Sequence, residues 1–218
     1  MDKNQISSLC KIENPPPHPM TMFKEYLDEA EHYLKETYGV LNLATANSKG
    51  EVLNRTVVLR GHDEDGIIFV TERNSRKYLD IQENNRVAAT FLWMYHKKDD
   101  PEITTHQIRF TGTATELTPS QIQTFYKSEP IYYKIRSAIC ECGKPVNWDE
   151  LKSKHDEVLG NYLDGKETLE KMNGTYTAIH IKAETVDFYH SKGLNVIADR
   201  VVYRRDSEGK WNFGHVCA

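Results

Sequence analysis

A short helix predicted over residues 75–84 carries its charged side chains in the reverse of the usual order. Ser75 is a suitable N-cap, and Arg76 and Lys77 follow in the first turn, where the helix dipole is already positive. Acidic side chains, Asp80 among them, come later, where they are disfavoured. Two explanations are open from the helix alone. Either Arg76 pairs with Asp80 four residues on while Lys77 points into water, or the cations and free N–H groups at the helix start bind an anion.

A second cation lies in a strand predicted over residues 51–60. Arg55 shares its face of that strand with aliphatic side chains, and an unpaired guanidinium in such surroundings is costly. An internal carboxylate would satisfy a single arginine, but one anion would satisfy both Arg55 and the 75–84 helix. We therefore favour a bound phosphate. Arg200 adds another cation in a β-like run, and its neighbour Asp199 points to the opposite face of the strand.

The composition indicates one globular domain with a loose beginning. The chain has 218 residues and a formal net charge of −4. Residues 1–19 are polar and rich in proline, so we predict a flexible arm there and a single domain over residues 20–218. The mild acidity argues against nucleic-acid binding. No signal peptide and no run of about eighteen apolar residues is found, which predicts a cytoplasmic protein that does not bind membranes.

The cysteines and histidines indicate no metal site. Cys140 and Cys142 are too close together for a zinc-ribbon or thioredoxin spacing, and we interpret all four cysteines as reduced thiols. The nine histidines show no metal-binding spacing, so we expect no zinc. His190 lies in a predicted strand, and we interpret it as a polar strand residue rather than a catalytic one.

The pattern of apolar residues predicts many strands and a few helices. Strands are predicted over residues 40–46, 51–60, 66–72, 87–95, 105–117, 175–181, 184–190, 196–205 and 210–215. Helices are predicted through Phe23 up to Gly39, over residues 75–84, after Thr118 and after Asn147. The strand at 87–95 is apolar at both alternating positions, so we expect both of its faces to be buried. This order favours an antiparallel barrel with added helices, and no G-x-G-x-x-G or P-loop supports a doubly wound nucleotide fold.

Several segments, in this order, closely resemble the pyridoxine/pyridoxamine 5′-phosphate oxidase family. They are PMTMFKEYLDEA, the run from Leu43 to Trp93, HQIRFTGTATELT, and VDFYHS followed by ADRVVYRR and a tryptophan. The resemblance extends from about residue 18 over nearly the whole chain. It implies a mainly β fold with helices (α+β), namely an FMN-binding split β-barrel of Greek-key type with peripheral helices. It also implies a homodimer with FMN between the subunits.

The resemblance implies an oxidase of vitamin B6 salvage, which converts pyridoxamine or pyridoxine 5′-phosphate to pyridoxal 5′-phosphate with O2 and releases H2O2. The positions it assigns to FMN are Arg55, Val57, Val58, Leu59, Arg60, Val70, Thr71, Arg76, Lys77, Gln107, Tyr189 and Arg200. Among them, Arg76 and Lys77 match a phosphate clamp, and Tyr189 stands where the family has a tryptophan. The family's Gln-Ser pair falls at Cys142 and Gly143, where neither residue is retained.

The positions that hold the substrate phosphate in the family differ more. The family's lysine, tyrosine, arginine and serine correspond to Arg60, Phe125, Glu129 and Tyr133, and an Arg-x-His motif near residues 196–198 is absent. Glu129 turns an attraction for phosphate into a repulsion, each of about 4 kcal/mol at about 4 Å in a partly shielded site. Three functions stay open: a B6 oxidase, a relative that uses FMN on a less anionic and more aromatic substrate, and a flavin-binding protein without turnover. No catalytic side chain is assigned.

Overall fold

A computed structural model describes residues 7–193 and 195–218, and its main feature is a closed antiparallel barrel. Within those residues, six strands form the barrel: β2 (Val40–Ala46), β3 (Val52–His62), β4 (Gly66–Glu72), β5 (Arg86–His96), β6 (Ile103–Glu116) and β7 (Tyr176–Lys192). Their spatial order is β7-β4-β3-β2-β5-β6, and pairing of β6 with β7 closes the ring. The predicted mainly β split barrel with helices is confirmed.

The remaining elements surround this barrel. Strands β9 (Asp199–Arg205) and β10 (Trp211–Val216) continue the sheet outward from β7. The helices are α1 (Pro19–Leu34), α2 (Arg76–Glu83), α3 (Pro119–Ser128), α4 (Ile131–Ile139) and α5 (Trp148–Leu163). Helix α1 ends before the predicted Gly39, and α4 is a helix that the sequence pattern did not predict. No helix in the described parts of the chain is long and apolar enough to cross a membrane.

Strand β5 shows how the sequence pattern divides between two faces of the barrel wall. Phe91, Trp93 and Tyr95 alternate along it and lie buried inside the barrel. The intervening Leu92 and Met94 are 56% and 50% exposed. The prediction that both faces of this strand are buried is therefore wrong for a single copy of the chain, because the second apolar face lies on the outside of the barrel.

Strand β7 is one long strand, where the sequence predicted two. Its 17 residues bridge the barrel and the outer β9–β10 extension. A register shift opposite Gly112 places one extra residue, Glu184, on β7, and this β-bulge bends the strand. A Cβ atom on Gly112 would lie 1.9 Å from the carbonyl oxygen of Lys182, so only glycine permits this close approach.

The N-terminal segment pairs with the rest of the chain from Ser8 onward, whereas the sequence predicted a flexible arm up to residue 19. Strand β1 (Ser8–Leu9) pairs in parallel with β8 (Val196–Ile197). Ile12 is buried, and its N–H donates to the Asp199 carboxylate at 2.9 Å. The Tyr203 hydroxyl donates to the carbonyl of Pro16 at 2.8 Å. The polar composition did not reveal these contacts because they join residues far apart in the chain. Residues 1–6 lie outside the described residues.

Candidate functional site

A cavity of about 290 Å³ opens where β3 and β4 meet α2 and α4. Its lining residues are Arg55, Thr56, Val57, Val58, Val70, Thr71, Glu72, Lys77, Tyr133, Arg136, Cys140 and Cys142. The cavity therefore brings together six positions of the predicted flavin set, namely Arg55, Val57, Val58, Val70, Thr71 and Lys77. Leu59 belongs to the packing around the barrel core.

Lys77, in the first turn of α2, and Thr71, on β4, both line this cavity. Lys77 Nζ donates to Thr71 Oγ1 at 3.0 Å, and that oxygen lies 3.0 Å from Ser75 Oγ. Both hydroxyl groups are buried. Burial lowers the pKa of Lys77, and the nearby Arg55 guanidinium lowers it further. Lys77 thus faces other polar groups of the protein, and the interpretation that it simply points into water is wrong.

Asp80, on the second turn of α2, is the internal carboxylate that the sequence left open as a partner. It is buried, and it accepts hydrogen bonds from Arg76 Nε and from Thr45 Oγ1, each at 2.7 Å. Arg55 Nη2 lies 3.7 Å from the other side of the same carboxylate. Two guanidinium groups therefore share the carboxylate of Asp80.

Arg76 is directed away from the cavity that holds Lys77. Besides Asp80, its guanidinium lies 3.4 Å from Glu51, on the outer side of α2. Arg76 is absent from the lining in the described part of the chain. The reversed charge order of the helix therefore has two parts, since Arg76 forms the local pair with Asp80 and Lys77 faces the cavity.

The positions equivalent to the family's substrate-phosphate residues form a closed network. Arg60 donates from Nε and Nη2 to the two carboxylate oxygens of Glu129, at 2.9 and 3.3 Å. The Glu129 side chain is 1% exposed, and the Tyr176 hydroxyl donates to it at 3.1 Å. The Arg60 guanidinium also lies over the Tyr133 ring, 4.6 Å from its centre. Glu129 therefore does not present a free negative charge to a ligand, and instead neutralises the cation that would bind a phosphate.

Phe125, the fourth of these positions, packs beside the network. Its ring lies about 3.5 Å from the point that a Cβ atom on Gly61 would occupy. The side chain belongs to a small apolar cluster with Ile68, Ile122 and Tyr126. It supplies apolar contact where the family's tyrosine supplies a hydroxyl group.

The other predicted flavin residues lie on a different surface. Gln107, Tyr189 and Arg200 stand directly opposite one another on β6, β7 and β9, and Leu92 extends this row on β5. Directly opposed residues of antiparallel strands point to the same face, here the outside of the barrel. Arg200 is bound to Asp187, with 2.6 Å between Nη2 and Oδ2. Within the described residues, none of this row lines the cavity beside α2.

Two histidines, the buried His106 and the half-buried His190, belong to the barrel interior rather than to the cavity. The rings of His106 and His190 stack with their centres 4.7 Å apart, and the Tyr26 ring lies 4.0 Å from His106. Burial lowers the pKa of His106 to about 3, so the stacked ring is neutral at ordinary pH. These contacts support a structural role for His190.

Sequence reasoning missed the contribution of α4 to the cavity. Tyr133 and Arg136 are three residues apart on this helix, so they lie on one face of it and both reach the lining. Arg136 was not predicted as a site residue. The available signal was Pro130 as the N-cap of a short apolar segment, which marks a helix start.

Comparisons with known proteins identify the family. The sequence profile described as "Pyridoxamine 5′-phosphate oxidase" matches residues 27–190. A pyridoxine/pyridoxamine 5′-phosphate oxidase of Cytophaga hutchinsonii is 28% identical over 203 residues, which cover 92% of this chain and 89% of that protein. One of Photobacterium profundum is 25% identical over 198 residues, which cover 90% and 88%.

Solved structures share the fold at low identity. PhzG from Burkholderia lata 383, in complex with tetrahydrophenazine-1-carboxylic acid, has a TM-score of 0.77 at 20% identity and covers 97% of this chain and 100% of that one. A pyridoxamine 5′-phosphate oxidase-related, FMN-binding protein from Nostoc punctiforme has a TM-score of 0.67 at 17% identity, with coverages of 90% and 97%. Since the family profile spans more than half of its residues, this chain belongs to the pyridoxamine 5′-phosphate oxidase family.

Proposed function

We propose that this protein is an FMN-dependent oxidoreductase whose cofactor phosphate binds in the cavity beside α2. The observation that carries the proposal is the charge of that cavity. Its lining in the described chain includes Arg55, Lys77 and Arg136 against the single carboxylate of Glu72. The Glu72 carboxylate accepts a hydrogen bond from Ser137 Oγ at 2.9 Å. A cavity with excess positive charge at a helix start suits a phosphate.

The apolar part of the lining also suits the cofactor. Val57, Val58 and Val70 line the same cavity as the cations. A flat, largely apolar ring attached to a charged phosphate requires this combination, because the ring gains from apolar contact while the phosphate needs paired donors. The residues present therefore fit FMN.

A second copy of the chain supplies the other half of the proposed site. Gln107, Tyr189 and Arg200 lie on the outer face of the barrel, next to the exposed Leu92 and Met94. Contiguous apolar side chains on an outer sheet face are typical of a protein interface. In a homodimer, this face of one subunit would meet the cavity of the other, so the two groups of predicted flavin residues would lie on the same cofactor.

The proposed reaction is the two-electron oxidation of a small molecule. Bound FMN would supply the redox chemistry, a two-electron oxidation of the substrate with O2 as the final acceptor and H2O2 as its product. The protein contributes binding and orientation. The first substrate candidates are pyridoxamine and pyridoxine 5′-phosphate, because the relatives that match about nine-tenths of the chain are named for them.

A second substrate class, flat aromatic molecules without a phosphate, is favoured by the ion pair between Arg60 and Glu129. Arg60 could bind a substrate phosphate only by leaving Glu129, and breaking a buried pair costs about 3–5 kcal/mol. A charged hydrogen bond to the phosphate returns only about 1.5–3 kcal/mol. The exchange is unfavourable, and Phe125 and Tyr133 add aromatic surface beside it.

Purified protein tests the common part of the proposal. It should be yellow and should hold one FMN per chain after incubation with the cofactor. A protein that stays colourless and does not take up added FMN would refute flavin binding, and with it every function proposed above.

Matched ligands test the substrate. Pyridoxamine and pyridoxamine 5′-phosphate differ only in the phosphate, and both can be titrated anaerobically against FMN-loaded protein while bleaching of the flavin is followed. Bleaching with at least tenfold tighter binding of the phosphate ester supports the B6 oxidase. Equal binding of the two ligands supports a site in which Arg60 is unavailable. Loaded protein that no B6 compound and no flat aromatic substrate reduces would identify a flavin-binding protein without turnover.

A further inference from the structure

Arg136 lines the cavity beside α2 and has no carboxylate partner among the described residues. By contrast, Arg55 lies 3.7 Å from Asp80, and Lys77 is bonded to the Thr71 hydroxyl. Arg136 lies on α4, and its exposed side chain faces the cavity and the solvent beyond it. Its five N–H donors are therefore available to a ligand.

The Arg136 guanidinium lies over the ring of Tyr133. The guanidinium carbon of Arg136 lies 4.9 Å from the centre of that ring, and the guanidinium carbon of Arg60 lies 4.6 Å from it. Arg60 is also held by Glu129, whereas the Arg136 guanidinium forms no hydrogen bond or ion pair with the residues that the structure describes. Stacking on an aromatic face leaves the edge of a guanidinium group free to form paired hydrogen bonds with a phosphate.

The described lining of the cavity has more cationic side chains than carboxylates. Burial lowers the pKa of Lys77, nearby Cys142 acts against this, and Arg55 and Arg136 lower it further. Arg136 is thus close enough to Lys77 to repel it. Glu72 is the one carboxylate in the described lining, so a phosphate that bound between the three cations would balance the positive charge that remains.

We propose that Arg136 is a cofactor-binding residue, and that its guanidinium binds the phosphate of FMN together with Arg55 and Lys77. This inference rests on the proposed flavin function. It also explains how the chain can bind a flavin although Cys142 and Gly143 replace the Gln-Ser pair expected at a flavin contact. Cys142 lines the same cavity as Arg136. The positive charge from α4 therefore replaces the polar contact that this segment has lost.

The test compares two flavins that differ only in the phosphate. Dissociation constants for FMN and riboflavin are measured by quenching of flavin fluorescence, with wild-type protein and with Arg136→Ala, Arg136→Lys and Lys98→Ala. Lys98 is an exposed cation in the loop between β5 and β6 and serves as the charge control. Arg136→Ala should weaken FMN binding about ten- to hundredfold, as expected for loss of a charged hydrogen bond, and should leave riboflavin binding unchanged. Arg136→Lys should restore part of the loss, and Lys98→Ala should have no effect.

The outcomes separate this inference from the proposed function. Wild-type protein that fails to bind FMN overturns both. If the wild-type protein and Arg136→Ala bind FMN equally well, only the role of Arg136 is overturned. An equal loss of FMN and riboflavin binding in Arg136→Ala overturns it too, because that loss would be a structural effect. Thermal melting of each variant without flavin identifies any loss of folding. If Arg136→Ala does not fold, the FMN and riboflavin dissociation constants of Arg136→Lys are compared with those of the wild-type protein instead.

Discussion

The buried ion pair between Arg60 and Glu129 can be tested with the substitution Glu129→Gln. Glutamine keeps the shape of the side chain and can still accept the hydrogen bond from Tyr176, but it removes the negative charge that faces Arg60. Removal of one partner from a buried pair costs about 3–5 kcal/mol, because the other charge stays buried and unpaired. For a domain of this size, about 3 kcal/mol corresponds to a decrease in Tm of roughly 6–12 °C.

The matched control for this substitution is Glu184→Gln. Glu184 pairs with Arg86 on the surface, where the two side chains are 43% and 56% exposed. Exposed pairs contribute about 0–1 kcal/mol, so this variant should melt close to the wild-type temperature. The assay is thermal and urea unfolding of both variants under the same conditions.

A double variant tests the coupling directly. Arg60→Gln combined with Glu129→Gln removes both charges, so it should be more stable than Glu129→Gln alone, although it contains one more substitution. Glu129→Gln should also bind pyridoxamine 5′-phosphate better relative to pyridoxamine than the wild-type protein does, because Arg60 is released. If Glu129→Gln is no less stable than Glu184→Gln, or if the double variant is no more stable than Glu129→Gln, the reasoning from a closed ion pair is refuted.

Three further predictions address the interior, the assembly and the bulge. The pKa of His106 is about 3 in the folded chain and about 6.5 in the unfolded chain. As the pH decreases below 6.5, the unfolded chain therefore binds a proton at His106 before the folded chain does, and the free energy of unfolding decreases. For His106 alone, urea unfolding should show a loss of about 2 kcal/mol between pH 7 and pH 5, which His106→Phe should remove. Burial also lowers the pKa of His190, so a smaller pH dependence should remain in that variant, and an unchanged slope would contradict the reasoning. Leu92→Glu should halve the mass measured by light scattering and weaken FMN binding, whereas Leu163→Glu, on exposed α5, should do neither. Gly112→Ala should lower the free energy of unfolding by more than about 2 kcal/mol, because the added Cβ atom would collide with the carbonyl oxygen of Lys182. Gly160→Ala is the control: its Cβ atom meets no atom within 4 Å, so this variant should be as stable as the wild-type protein or more stable. Equal stability of the two variants would argue against the bulge.

Local rules explain why much of the fold could be predicted. The predicted bounds of β2 and β4 are those of the structure, because turn residues and a change of apolar period mark both ends of each strand. Helix α5 begins where predicted, since Asn147 accepts hydrogen bonds from the N–H groups of Asp149 and Glu150. The cationic start of α2 was also visible, because the order of charges along one helix is a property of neighbouring residues.

The sequence alone therefore determined the barrel, most of its strands, the family resemblance and the excess of cations near α2. Only the tertiary structure decided which partner each charge has. Arg60 and Glu129 are 69 residues apart in the chain and meet because α3 ends against β3. Arg136 reaches the cavity only because the unpredicted α4 packs there, and Gln107, Tyr189 and Arg200 form a row only through the register of three strands. An ion pair depends on distance and burial, which a linear pattern does not contain, and for that reason the sequence predicted the cations near α2 but not the pairing of Arg60 with Glu129.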